Sequence, residues 1–315
     1  MRSTRAFVVR RLCWLPLTLL GVLIFIFFLL HALPGDALTI LAGPRATPEI
    51  RAAANAKFHL DEPVWVQLGY FIGDALRGDF GTSIVSGRPV LELIAASLPN
   101  TVVLALSSLA FAILIGIPAG AISAFEEGRI IDLITMALSF VAVSSPDFVS
   151  GLVLLLFLSI RYPLFPVSGM GSGITDQIHH LVLPALALSL PWIGYIARLG
   201  RATMLEVLGM PYTKMERSFG FPSLYIWGKY ALRNSITPTV AALGLMMGKL
   251  LGGAVLVEYI FTRPGLGRLI AVSVSTRDIP VIHGAVLVTS AVFILSNLLA
   301  DISYAYIDPR IQYEK

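Results

Sequence analysis

The chain has 315 residues, 56% of them hydrophobic and only 13% charged, with a mean hydropathy of +0.81 and a formal net charge of +4. Soluble domains carry roughly 25% charged residues. The composition therefore excludes disorder, and it argues against a single soluble globule, whose one core could not hide this much apolar surface.

The apolar runs read as an all-α polytopic membrane protein of six transmembrane helices, since a spanning helix needs about 20 apolar residues. Residues 1–11, with Arg2, Arg5, Arg10 and Arg11, precede a first span at 12–33. That run is longer than a signal-peptide core and lacks a small-x-small cleavage site, so it reads as an uncleaved anchor. Cys13 lies inside it as a small hydrophobe; a lone cysteine says nothing of redox compartment. Residues 34–97 form a long external segment. Within it 46–58 is helix-like, Asp61-Glu62-Pro63 breaks the pattern, and Val64 to Leu76 resumes it. Arg77-Gly78-Asp79-Phe80-Gly81 then reads as a turn.

The remaining spans are 98–125, 133–160, 178–197, 234–257 and 279–300. They leave an inner segment at 198–233, an outer loop at 258–278 and an inner C-terminus at 301–315, with the transmembrane body at about 94–305. Thirteen of the 23 Lys and Arg residues then fall on inner segments, against four, Arg161, Arg263, Arg268 and Arg277, in short outer loops. This asymmetry predicts both termini inside and makes the small basic excess a membrane signal, with no need to invoke nucleic acid.

Ionisable groups inside a membrane are costly and mark candidate functional positions. Asp147 interrupts the third span after Ser144-Ser145-Pro146, where a helix break would expose it to water. Glu258 lies near the outer end of the fifth span, a candidate for the pathway or helix packing with plain solvation as the alternative. Lys249 lies deepest and needs either a buried acidic partner or a wet pathway. Gly244, Gly248 and Gly252 stripe the fifth span, and Gly116 and Gly120 the second; small residues at this spacing allow close helix approach, within the chain or toward a pathway or partner. Pro118 and Pro146 are expected to kink their helices.

Catalytic signatures are missing. There is no H-E-x-x-H, C-x-x-C or G-x-S-x-G. Adjacent His179 and His180 point about 100° apart on a helix and would not readily share a metal. Gly244 to Lys249 fails as a phosphate-binding loop, because its glycines are one residue too close and Leu250 stands where Ser or Thr should be. The chain is thus expected to be no enzyme, with no metal and no nucleotide site of its own.

The inner segment 198–233 is heavily punctuated. Gly209-Met210-Pro211 ends one helix and Pro211 suits the first position of the next. Tyr212 to Phe219 makes about two turns, Gly220 suits positive φ, and Ser223 can open a further helix. Two turns are not stable alone in water. Tyr212, Lys214, Glu216, Arg217, Phe219, Gly220 and Phe221 suit docking on a partner or lying on the membrane surface.

Tyr212, Arg217 and Gly220 match a Tyr-x-x-x-x-Arg-x-x-Gly pattern that resembles the cytoplasmic loop of binding-protein-dependent ABC importer permeases. Leu33-Pro34-Gly35-Asp36, Leu60-Asp61-Glu62-Pro63, Arg77-Gly78-Asp79-Phe80-Gly81, Leu98-Pro99-Asn100-Thr101, Pro166-Val167-Ser168-Gly169 and Leu183-Pro184-Ala185 extend the match. So do Leu232-Arg233-Asn234, Leu251-Gly252-Gly253-Ala254, Pro264-Gly265-Leu266-Gly267-Arg268 and Asp308-Pro309-Arg310. Together they resemble the first permease subunit of the dipeptide, oligopeptide and nickel importers. The resemblance implies a type I ABC importer permease fold in a bacterial inner membrane. It also implies a paired homologous permease, two ATPase subunits carrying ATP and magnesium, and an external solute-binding protein. Peptides, nickel complexes or glutathione-like molecules would be the cargo, and Tyr212 to Phe221 would couple to the ATPases with Gly220 as hinge. One departure is Phe219 where the family commonly has a basic residue. An ion-coupled secondary transporter is the alternative, but its inverted repeats are not seen.

Overall fold

The computed structural model describes residues 2–31 and 61–307. Its elements are helices: α1 (Arg2–His31), α2 (Val64–Arg77), α3 (Val90–Phe125), α4 (Ile130–Ser144), α5 (Asp147–Arg161) and α6 (Ile174–Gly209). After these come α7 (Pro211–Ser218), α8 (223–253), α9 (Val255–Ile260), α10 (Leu266–Thr276) and α11 (Ile279–Ile307). The predicted helix at 46–58 and the motifs at 33–36 and 308–310 lie outside the described residues. Among the described residues, α3, α6 and α11 are long and apolar enough to cross a membrane, and the α4–α5 pair makes a fourth if counted as one span.

The third predicted span, 133–160, is broken at the proline where a kink was expected. The chain bends by 112° between α4 and α5, at Ser145-Pro146. Pro146 lacks an N–H and its ring excludes the preceding turn, so the ladder stops at Ser144 and restarts at Asp147. Asp147 thereby sits, half-buried, in the first turn of α5. The fourth span also runs on: α6 continues twelve residues beyond 197, so the first third of the predicted inner segment is helix.

The chain divides into two compact units, residues 1–102 with 264–295, and residues 103–263 with 296–315. In the first unit α1 packs on α2 through Phe27–Phe71 and Phe28–Trp65 ring contacts. Val90, Ile94, Leu266, Val281 and Ala285 form its core. Two of the sequence motifs meet there: Asn100 Nδ2 donates to the Pro264 carbonyl (2.8 Å) and Thr101 Oγ1 accepts from the Leu266 N–H (2.8 Å). The Arg77–Gly81 turn is real; Gly78 at φ 77° ends α2 with its own N–H and that of Asp79 returned to Ala75 and Asp74.

In the second unit α6 is the central helix, packed by α3, α4, α5 and α8. Glycines make that possible. A Cβ on Gly120 would stand 2.6 Å from the Ala197 carbonyl oxygen, and one on Gly194 would stand 2.5 Å from that of Ser139. Gly116 likewise abuts Ile193 and Ile196. The Gly116/Gly120 stripe thus serves packing within the chain. On α8, Gly248 is buried against Asn297, while Gly252 is exposed and Gly244 half-buried, so that stripe does not face one neighbour throughout.

Candidate functional site

The short helix α7 follows α6 after one extended residue, Met210, with Pro211 in its first turn. Thr213, fully buried, locks the junction: its hydroxyl lies 2.7 Å from the Met210 carbonyl and 3.0 Å from those of Val207 and Leu208, donating to one of these helix-end acceptors. At the other end Gly220 has φ 79°, its N–H returns to Arg217 and that of Phe221 to Glu216. This paired closure needs a left-handed residue, which glycine adopts without steric cost.

The face of α7 toward α8 is polar and pinned. The Tyr230 hydroxyl donates to Glu216 Oε1, and the Tyr212 and Tyr230 rings lie 5.7 Å apart. That bond to Glu216 pushes the Tyr230 hydroxyl above its ordinary range. Lys229 donates to the Tyr225 hydroxyl, which holds its ammonium above the usual lysine value, and Phe221 stacks on Tyr225 at 5.4 Å. Beneath lies a core of Ala124, Met204, Leu208, Ile226 and Ala231. Alongside that pinned edge Tyr212, Met215 and Phe219 share a helical stripe and are 44%, 59% and 69% exposed, and Lys214 and Arg217 are exposed on the rest of α7.

A second constellation escaped the sequence reading. Asp132, buried at the start of α4, accepts from Arg201 Nε (2.7 Å) and Nη2 (2.8 Å) on the extension of α6. Ser123 of α3 donates its hydroxyl to the same carboxylate, and the Gly128 N–H adds a bond of 2.9 Å. One buried carboxylate therefore ties α3, the α3–α4 turn, α4 and the helix that carries α7. The Asp sits nine residues from Ser123 and 69 from Arg201, so no local spacing announces it.

The intramembrane candidates do not form one site. Glu258 is fully buried, which goes against the solvated alternative. Arg263, 3% exposed, interacts electrostatically with it; burial pushes the guanidinium's pKa down and the Glu258 charge pushes it back up. Residue 262 between helix end and Arg263 is a threonine at φ 53°, a strained conformation for a β-branched residue. Lys249 is exposed on the chain surface near the Trp192 ring, with no carboxylate in ion-pair contact among the described residues. His179 meets the Leu164 carbonyl and His180 lies against Asp176, so the two rings do serve separate partners. Among the described residues no cluster of three or more His, Cys, Asp or Glu could hold a metal ion.

Residues 116–313 match the family model described as "Binding-protein-dependent transport system inner membrane component", and residues 4–105 match its companion "Binding-prot-dependent transport system membrane comp, N-term". The chain is 39% identical over 314 residues to the oligopeptide transport system permease protein AppB of Bacillus subtilis (strain 168), covering 98% of this chain and 99% of that protein. It is 37% identical over 308 residues to the glutathione transport system permease protein GsiC of Escherichia coli (strain K12), with 98% and 99% covered. Its fold resembles a chain of the inward-facing MetNI methionine ABC transporter, at TM-score 0.53 and 18% identity, over 69% of this chain and 97% of that one. The α6–α7 junction and the motifs along both units thus lie in a chain that belongs to the inner membrane components of binding-protein-dependent transport systems.

Proposed function

We propose that this chain is the translocation subunit of an ATP-driven importer of peptides or closely related small solutes, glutathione included, in a bacterial inner membrane. Six spans with both termini inside accommodate α1, α3, the α4–α5 pair, α6, α8 and α11, and leave 34–97 and 258–278 outside. The chain works beside a homologous permease, with the pathway between the two, lined partly by the second, third and fifth spans. A solute-binding protein delivers cargo from outside. Two ATPase subunits bind ATP and magnesium and close from inside; this chain hydrolyses nothing itself.

The observation that carries this reading is α7. It is anchored at both ends and along one face, yet presents Tyr212, Met215 and Phe219 to solvent. Exposed aromatic and Met side chains flanked by cations are the composition of a docking anchor. Because α7 is fixed to α6, the central helix of its unit, force applied to that stripe reaches the helices that α6 packs against. The test joins topology to partnership. A reporter active only outside the membrane should work when fused after Ala54 and stay silent after Met215. The chain purified from native membranes should bring an ATPase, and Met215→Asp should release it while membrane insertion holds. An active reporter after Met215, or purification without any ATPase, would overturn the reading and favour a transporter that acts alone.

A further inference from the structure

Lys249 lies sixteen residues beyond Arg233 on α8, which at about 1.5 Å per residue puts it some 24 Å along the helix, inside the fifth predicted span. Its neighbours Met246, Gly248 and Leu250 are buried, and Gly248 is seated against Asn297, so the rotation of α8 is fixed and Lys249 stands on the open face. Its ammonium is 5.7 Å from the centroid of the Trp192 ring on α6. Tyr195, 40% exposed, meets Trp192 edge-on at 6.1 Å and extends the same surface. A cation–π contact near the 6 Å limit is weak and leaves the charge unneutralised. Among the described residues no carboxylate pairs with Lys249. An uncompensated ammonium at this depth is costly and calls for water or an anion.

We propose that Lys249, backed by Trp192 and Tyr195, is a carboxylate-binding subsite on the translocation surface, engaging the free carboxylate of a passing peptide. The inference rests on the permease reading above and adds what the pathway recognises. Lysine offers a compact, rotatable donor, and the flanking rings exclude part of its water, which strengthens attraction to an anion. With a single cation on an exposed surface, the contact stays weak enough to release, as passage requires.

The test uses the complete importer, with its ATPases and binding protein, in proteoliposomes. The probes are trialanine and trialanine amide, each at a concentration that saturates the binding protein. Lys249→Met should lower trialanine uptake about tenfold, the scale of one partly screened charge contact, and change amide uptake less than about twofold on the same reasoning. Lys249→Arg should retain most trialanine uptake. Equal losses for both probes, or no loss, would overturn the subsite. A second experiment decides alone if the binding protein refuses the amide. In a Cys13→Ser, Gly252→Cys background, anionic and cationic methanethiosulfonates modify Cys at the exposed position one turn from Lys249. Adding Lys249→Met should lower the anionic-to-cationic rate ratio about fivefold or more, as expected for loss of a nearby positive charge in water. An unchanged ratio, or no modification by either reagent, places Lys249 against lipid phosphate or a partner's acid and ends the proposal. Failure of the unsubstituted complex to show ATP-dependent uptake would instead count against the permease reading.

Discussion

Replacing Arg201 by Met tests whether the buried carboxylate at the start of α4 is a structural clamp. In the parent, Asp132 accepts two bonds from the guanidinium and one each from Ser123 and Gly128. Its side chain is 4% exposed and that of Arg201 is 25% exposed. Removing one partner of a buried ion pair costs about 3–5 kcal/mol, because the other charge is stranded. Arg201 is a quarter exposed, so water can enter the space it leaves, and the lower end, about 3 kcal/mol, is expected. Asp132→Asn strands only a guanidinium that can turn to solvent, at about 1–2 kcal/mol. The double variant should cost little more than Asp132→Asn alone, a coupling of at least about 1.5 kcal/mol. Unfolding titrations in mixed detergent micelles measure all three variants. Arg201→Met within about 1 kcal/mol of the parent, with an additive double variant, would refute the clamp.

Gly220 has a left-handed φ, and a Cβ added there would meet open space, so Gly220→Val should insert normally and suffer only the conformational cost, roughly 1 kcal/mol or more, spent in the closure of α7; ATPase association should weaken, and normal transport by a well-expressed variant would sink the hinge role. Gly194→Ala and Gly200→Ala should separate cleanly. The first pushes a methyl onto the Ser139 backbone and should cost about 1–3 kcal/mol with lower membrane yield, whereas at Gly200 the nearest atom is the Gly120 Cα at 4.0 Å and yield should hold.

What the sequence made legible was local. Apolar runs located α3, α6 and α11, the helices long and apolar enough to cross a membrane among the described residues, because burial in lipid demands length and composition from each one separately. Glycine and proline located the ends of α7 to within a residue, since Pro211 and Gly220 act through their own backbone. The α4–α5 bend is an intermediate case: Pro146 announced a kink, but a run of apolar residues looks the same whether it is straight or turned by 112°. The burial of Glu258 was not legible, because position along a helix does not report rotation around it.

The functional consequence follows from what α6 joins. A two-turn helix cannot transmit a push unless something rigid receives it. Here Thr213 fixes α7 to the end of α6, and Arg201 fixes that same extension to Asp132 and so to α3 and α4. Between these anchors lie Met204 and Leu208, buried in the core beneath Tyr230. A displacement of the exposed Tyr212–Met215–Phe219 stripe therefore has a bonded route to the packed helices, through Thr213 to the end of α6 and through Arg201 to Asp132. The two anchors also divide the work, which separates their phenotypes. Loss of Thr213 should loosen the α6–α7 junction, with α7 still held through Glu216 and Tyr230, and leave the bundle stable, whereas loss of Arg201 should loosen the bundle and leave that junction intact.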